Sequence, residues 1–173
     1  GNRKGFEDKR GNLFFEIIRL AKEKRTPVLL LENVKGLLSH EKGETFRIML
    51  QTLDECGYDV SWQLLNSRYF VPQSRERLYI IANLRGSSGR KILPLGKVSK
   101  RNDKSRKELY AKDECSSTTP IECERLQGFA DDWTKGVSDT QRWKCLGNAV
   151  TTNVVEYIVG HWNDDDLTQV ESE

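Results

Sequence analysis

The chain of 173 residues has no apolar run approaching the length of about 18 residues that a transmembrane helix needs. Its opening, GNRKGFEDKR, contains no apolar h-region and does not read as a secretory signal. Cysteine is sparse. The four residues, Cys56, Cys115, Cys123 and Cys145, form no C-x-x-C and no metal-ligand spacing. They read as reduced thiols of a cytosolic protein, not as a disulfide framework or a metal site. Neither sign of charge dominates: 28 Lys and Arg face 26 Asp and Glu, for a formal net charge of +2. Composition therefore permits nucleic-acid binding without arguing for it. No internal repeat is visible. What remains, 36% hydrophobic and 31% charged residues, suits one polar globular domain with a real core.

The apolar pattern changes period along the chain. Leu13, Phe14, Ile17, Ile18 and Ala21 share a face if Gly11–Arg25 is helical, and Pro27 follows where that helix has stopped. Val28–Leu31 is a continuous apolar run, as expected of a strand buried on both sides of a parallel sheet. Phe46, Met49, Leu50 and Leu53 predict a second helix closed by Gly57. Val60, Trp62 and Leu64 alternate like a strand, and Arg77–Ala82 is a further apolar strand. Helix, strand, helix, strand, turn, strand is the rhythm of an α/β sheet.

Residues 86–118 are polar, basic and weakly patterned, as in a linker or a mobile insert. Order resumes at Thr119-Pro120-Ile121-Glu122, a capping box with proline at the first helical position, in a helix expected to end near Gly128. Ser138 and Gln141 suggest a second capping box on a helix leading to Gly147, and Val150, Val154, Tyr157 and Ile158 mark a last helix. This gives four segments: 1–85, 86–118, 119–162 and an acidic tail, 163–173.

Three stretches carry chemistry-bearing side chains. Glu32 directly follows the apolar run. A carboxylate at the carboxyl end of a strand in an open α/β sheet sits where ligands bind, and partial burial there suits a proton donor; a surface acid capping the next turn is the alternative. In VPQSRERLYIIA, Pro72 and Gln73 make a turn. Arg75 and Arg77 share a face if the segment is extended, which suits bidentate recognition of a base edge or phosphate; ordinary surface charge is the alternative. Gly147-Asn148 reads as a helix start offering donors to a polar ligand, or as a plain cap.

Five blocks in order resemble the DNA (cytosine-5) methyltransferases. They are G-x-R-x-G-F-x-D-x-R-G-x-L-F at Gly1–Phe14, E-N-V at Glu32–Val34, P-Q-x-R-x-R at Pro72–Arg77, T-P-x-E-C-x-R-L-Q-G-F at Thr119–Phe129, and G-N-A-V-T at Gly147–Thr151. The resemblance covers about residues 1–85 and 117–162. It implies the second half of an S-adenosylmethionine-dependent, Rossmann-like α/β sheet with a short or missing target-recognition region. The implied activity is methyl transfer from S-adenosylmethionine to C5 of cytosine in double-stranded DNA. By resemblance, Glu32 engages N3 of the flipped cytosine and Asn33 shapes the turn beside it. Of the catalytic arginines Arg75 and Arg77, one holds the active-site loops and the other contacts the cytosine O2 side. Leu13, Asn148 and Ala149 line the cofactor pocket, Arg10 lies near the DNA backbone, and Gln73 is the turn glutamine of the DNA-facing block. The Thr119–Phe129 helix organises the recognition region. No metal is implied. A methyltransferase of this kind works in the bacterial cytoplasm on the nucleoid, or in the nucleus if eukaryotic.

Two family features are missing. The P-C-Q block with the nucleophile and the F-x-G-x-G cofactor loop do not occur, and none of the four cysteines has the flanking residues of P-C-Q. The stretch between Arg77 and Pro120 is short for a target-recognition region. The expectation is therefore a part of an enzyme, in a longer chain or beside a second chain that carries the missing blocks, and inactive and poorly stable alone. A non-catalytic DNA- or partner-binding relative and a transfer-RNA methyltransferase are the alternatives.

Overall fold

The structure, a computed structural model, describes residues 9–87, 89, 119–160 and 162, with side chains in the first helix from Leu13 onward. These residues divide into two compact units, one of residues 9–64, 77–87, 89 and 162, the other of residues 65–76 and 119–160. The segment expected to be a linker lies, but for its first residues, outside the described residues, and so does the acidic tail.

In the first unit, α1 (Lys9–Lys24) begins two residues before the expected start. Phe14, Ile18 and Ala21, spaced i, i+4, i+7, are its buried stripe. Leu13 and Ile17, expected on the same face, are instead 63% and 41% exposed and form with Leu20 a neighbouring stripe that no described residue covers. An apolar arc wider than one contact row divides in this way. Arg25 then takes a left-handed φ of 49°, which ends the helix before Pro27.

Strand β1 (Val28–Val34) runs longer than its apolar run, because the ladder continues through Glu32 and Asn33. A 3-10 segment (Lys35–Gly43) leads to α2 (Glu44–Glu55), which buries Phe46, Met49 and Leu53 and is closed by Gly57 at φ 86°, as its sequence predicts. Strand β2 (Tyr58–Asn66) and β3 (Glu76–Leu84) complete a three-stranded sheet of order β1-β3-β2. Among the described residues β1 is neither paired in parallel nor buried on both sides, contrary to the expectation from its apolar run. β1 pairs antiparallel with β3, and its first six residues are half-buried. The continuously buried strand is β3, where Leu78–Ala82 are at most 2% exposed, because it is central among the described strands. Leu78, Ile80 and Ala82 join Leu29 and Leu31 of β1 against the α1 and α2 stripes. Trp62 stays 48% exposed, its ring edge-on to Phe46 at 5.3 Å.

In the second unit, a short 3-10 turn (Ser67–Tyr69) precedes three helices: α3 (Pro120–Leu126), α4 (Asp139–Asn148) and α5 (Thr152–Val159). Thr119 forms the predicted capping box with Glu122. Ser138 is the N-cap of α4 but its side chain makes no cap hydrogen bond, so the second predicted box is absent. Val150 falls before the last helix, whose buried residues are Val154 and Ile158.

Glu124 of α3 is fully buried. Its Oε1 accepts from the Thr134 N–H (2.9 Å), the Thr134 hydroxyl (2.5 Å) and the Arg142 guanidinium (3.1 Å). Burial alone would raise its pKa, but these donors hold it down to about 2. A buried carboxylate so enclosed ties α3, the 131–137 turns and α4 together.

Two outcomes follow for stability. Leu53→Ala, at a fully buried position, should destabilise by about 2–5 kcal/mol in denaturant unfolding. Since the folded pKa of Glu124 lies below its ordinary value of 4.5, its contribution is complete above pH 4.5 and is lost as pH falls toward about 2. Glu124→Gln should therefore lower stability at neutral pH and flatten the dependence in that acid window, which thermal melts across pH read directly.

Candidate active site

Antiparallel pairing sets Glu32 opposite Tyr79 and Val34 opposite Arg77. Glu32 and Arg77 are therefore diagonal neighbours on one face of the sheet. Their side chains meet, with Arg77 Nε 3.0 Å from Glu32 Oε1, and are 21% and 25% exposed. Such a pair, largely removed from water, is stronger than an exposed one. Glu32 lies inside β1, two residues before its end, and not at the very end of the strand as its sequence position suggests. Ladder bonds fix its backbone, and Arg77 orients its carboxylate. Asn33 does act locally, its Oδ1 accepting from the Val34 N–H at 2.9 Å.

The Pro72–Arg75 turn belongs to the second unit. Asn66 closes it, its Oδ1 accepting from the N–H groups of Arg68 (3.0 Å) and Arg75 (3.2 Å) and its Nδ2 donating to the Ser74 hydroxyl (3.1 Å). Ser67, 2% exposed, donates its hydroxyl to Gln73 O at 2.5 Å, and its N–H donates to Arg75 O at 3.0 Å. Neither residue is conspicuous in the sequence; an Asn or Ser just before a turn is the available signal. Gln73 is half-buried, and its Oε1 is buried with no hydrogen-bond partner among the described residues.

Arg75 precedes β3, and one of its terminal nitrogens donates to Gly147 O at 3.0 Å and Ala149 O at 2.7 Å. This reverses the expectation for Gly147-Asn148. The pair does not start a helix: Asn148 is the last residue of α4, and α5 begins at Thr152. A helix C-terminus presents orphan carbonyls and negative partial charge, so the group it recruits is a cation, here Arg75. Asn148 itself is exposed, and its side-chain amide has no partner among the described residues; Ala149 is half-buried.

The structure thus joins Glu32 with Arg77, and Arg75 with the Gly147–Ala149 backbone. Leu13 is an exposed residue of α1, and Arg10 falls in α1 where side chains are outside the described residues. Among the described residues, no group of three or more His, Cys, Asp or Glu could hold a metal.

Comparison with known proteins identifies the scaffold. The family model described as C-5 cytosine-specific DNA methylase matches residues 1–115 and, in a second match, 83–163. The type II methyltransferase M.SsoII of Shigella sonnei is 34% identical over 221 residues, covering 91% of this chain and 58% of that protein. The type II methyltransferase M.DsaV of Dactylococcopsis salina is 28% identical, covering 91% and 63%. The chain therefore spans about three fifths of the length of these relatives. The crystal structure of the Dnmt2 methyltransferase of S. pombe superposes with a TM-score of 0.61 at 19% identity, over 92% of this chain and 72% of that one, which shows the same methyltransferase fold. With both matches of the family model counted, most of the sequence is accounted for, and the chain belongs to the C-5 cytosine-specific DNA methylase family.

Proposed function

We propose that the chain is the part of a DNA (cytosine-5) methyltransferase that engages the target cytosine and closes one side of the cofactor pocket. The observation that carries this is the half-buried Glu32–Arg77 pair, formed by the two family blocks whose residue types the reaction requires. Addition of a thiolate to C6 of cytosine pushes negative charge toward N3 and O2. A carboxyl group at N3 that has taken up a proton from solvent, and shares it with N3 as charge builds there, together with a guanidinium on the O2 side, neutralises that charge. Glu32 takes the first role and Arg77 the second. Because the ladder and the ion pair fix both groups before substrate arrives, little reorganisation accompanies the reaction. Once C5 is methylated, loss of the C5 proton and departure of the thiolate restore the aromatic ring.

Asn148 and Leu13 suit S-adenosylmethionine, each by its own surroundings. Asn148 presents an amide on a turn whose carbonyls are held by Arg75, and Leu13 presents an exposed apolar surface of the kind an adenine ring covers. S-adenosylmethionine, when bound, supplies the methyl group. Gln73, in the tightly closed turn beside Arg75, and Arg10 are the DNA-facing residues of this reading. The nucleophile and the cofactor loop come from a P-C-Q and an F-x-G-x-G segment outside this sequence, in the same polypeptide or in a partner chain.

The alignment with M.SsoII runs over 221 residues although the chain has 173, so the relative carries additional residues within the matched span. On this reading the target-recognition region between Arg77 and Pro120 is short, and the choice of target sequence is made largely elsewhere. No helix among the described residues is long and apolar enough to cross a membrane, and such an enzyme would act on the nucleoid of a bacterial cytoplasm.

Methyl transfer by the complete enzyme, measured with labelled S-adenosylmethionine on duplex DNA, tests the assignment. Glu32→Gln should lower kcat by at least about a hundredfold without loss of fold. Arg77→Ala, which leaves the carboxylate without its guanidinium, should lower kcat comparably and also destabilise the protein. Near-normal turnover by a folded Glu32→Gln enzyme would overturn the role given to this residue, and transfer to transfer RNA but not to duplex DNA would overturn the substrate.

A further inference from the structure

Gln127, the residue after α3, is 3% exposed. Its Nε2 donates to Leu146 O, in the last turn of α4, at 2.7 Å. Its own carbonyl accepts from the Thr152 N–H at 3.0 Å and the Thr152 hydroxyl at 3.1 Å, at the start of α5. One residue therefore grips both ends of the turn that carries Asn148 and Ala149. The Thr152 hydroxyl also reaches Gly128 O at 3.0 Å. Gly128 is at φ 80°, and a Cβ there would stand 2.0 Å from Asn153 Oδ1 and 2.3 Å from Thr152 Oγ1, so the approach of this segment to α5 tolerates no side chain. Arg75 holds the carbonyls in between.

Packing alone does not account for a glutamine here. Its Oε1 is buried with no hydrogen-bond partner among the described residues, which is destabilising. A methionine would fill similar volume without that penalty. The amide is explained by the bond it donates to Leu146 O.

We propose that Gln127 is a positioning residue for the cofactor-binding turn: by fastening Leu146 and Thr152 it fixes the presentation of Asn148, and so acts on affinity for the cofactor. This rests on the reading of Asn148 and Ala149 given above. It differs from the role implied for this helix by resemblance, which is to organise the target-recognition region. A scaffold for DNA recognition would transmit damage to DNA binding; a clamp on the 146–152 turn transmits it to the cofactor.

The test compares wild type, Gln127→Met and Thr152→Val in the complete enzyme, with the dissociation constant of S-adenosylmethionine measured by calorimetry. The KM for DNA and kcat at saturating cofactor are measured beside it, and thermal melting checks the fold. Losing one neutral hydrogen bond from the clamp should weaken cofactor binding about fivefold in each variant, while DNA KM and saturated kcat stay within about twofold. Unchanged cofactor affinity in a folded Gln127→Met enzyme, or an equal rise in DNA KM, would overturn the proposal. If Gln127→Met does not fold, Thr152→Val decides by the same readouts. A wild-type enzyme that binds cofactor but transfers no methyl group to DNA would refute the assigned reaction and leave the clamp to be judged on binding alone.

Discussion

The register between β1 and β3 is the constraint on which the candidate site depends. Leu29 and Leu31 pack with Ile80 and Ala82 on the face covered by α1 and α2. Strand side chains alternate, so Glu32 must lie on the opposite face, and the same rule puts Arg77 there with it. A slip of one residue would drive the carboxylate toward the apolar cluster and the leucines out of it. Hydrophobic burial therefore selects a geometry in which an acid and a guanidinium meet at 3.0 Å. The ion pair contributes orientation and local charge; the leucines and isoleucines specify the register.

The same logic explains what could be read beforehand. The elements of the first unit were legible because their apolar spacing is local: Phe46, Met49 and Leu53 recur at helical period, and β3 is an apolar run of strand length. Pairing direction was not, since an apolar run reads alike in a parallel and an antiparallel sheet. Glu32 and Arg77 were legible as residues through their blocks, but their contact depends on a register that no local pattern states. The misreading of Gly147-Asn148 has a similar origin. Glycine and asparagine suit both the start of a helix and the residues around its end. What decides between them is Arg75, which lies 72 residues from Gly147 in sequence.

The second unit shows how polar side chains can build a turn when apolar burial is limited. Glu124 gathers donors from Thr134 and Arg142, Gln127 bridges Leu146 and Thr152, and Asn66 and Ser67 close the segment that delivers Arg75. Several of these contacts pair backbone groups, the N–H of Thr134 and of Arg75 and the carbonyls of Leu146, Gln127 and Gln73, and buried backbone groups left unpaired are costly. The signature of such a network in the sequence is faint, because Glu, Gln, Asn and Ser are ordinary surface residues in composition. Burial gives them away, as with the complete enclosure of Glu124.

Arg75 and Arg77 stand two residues apart in one block, yet their surroundings differ in kind. Arg77 pairs with a carboxylate on a strand, whereas Arg75 donates to two carbonyls at the end of a helix. Neither resembles the exposed lysines and arginines with which proteins attract a phosphate backbone. The block is better understood as construction than as a basic patch: its first arginine shapes the turn proposed to meet the cofactor, and its second holds the acid proposed to meet the base. Substrate affinity and substrate chemistry would then be borne by different parts of the protein, and weakening one need not weaken the other.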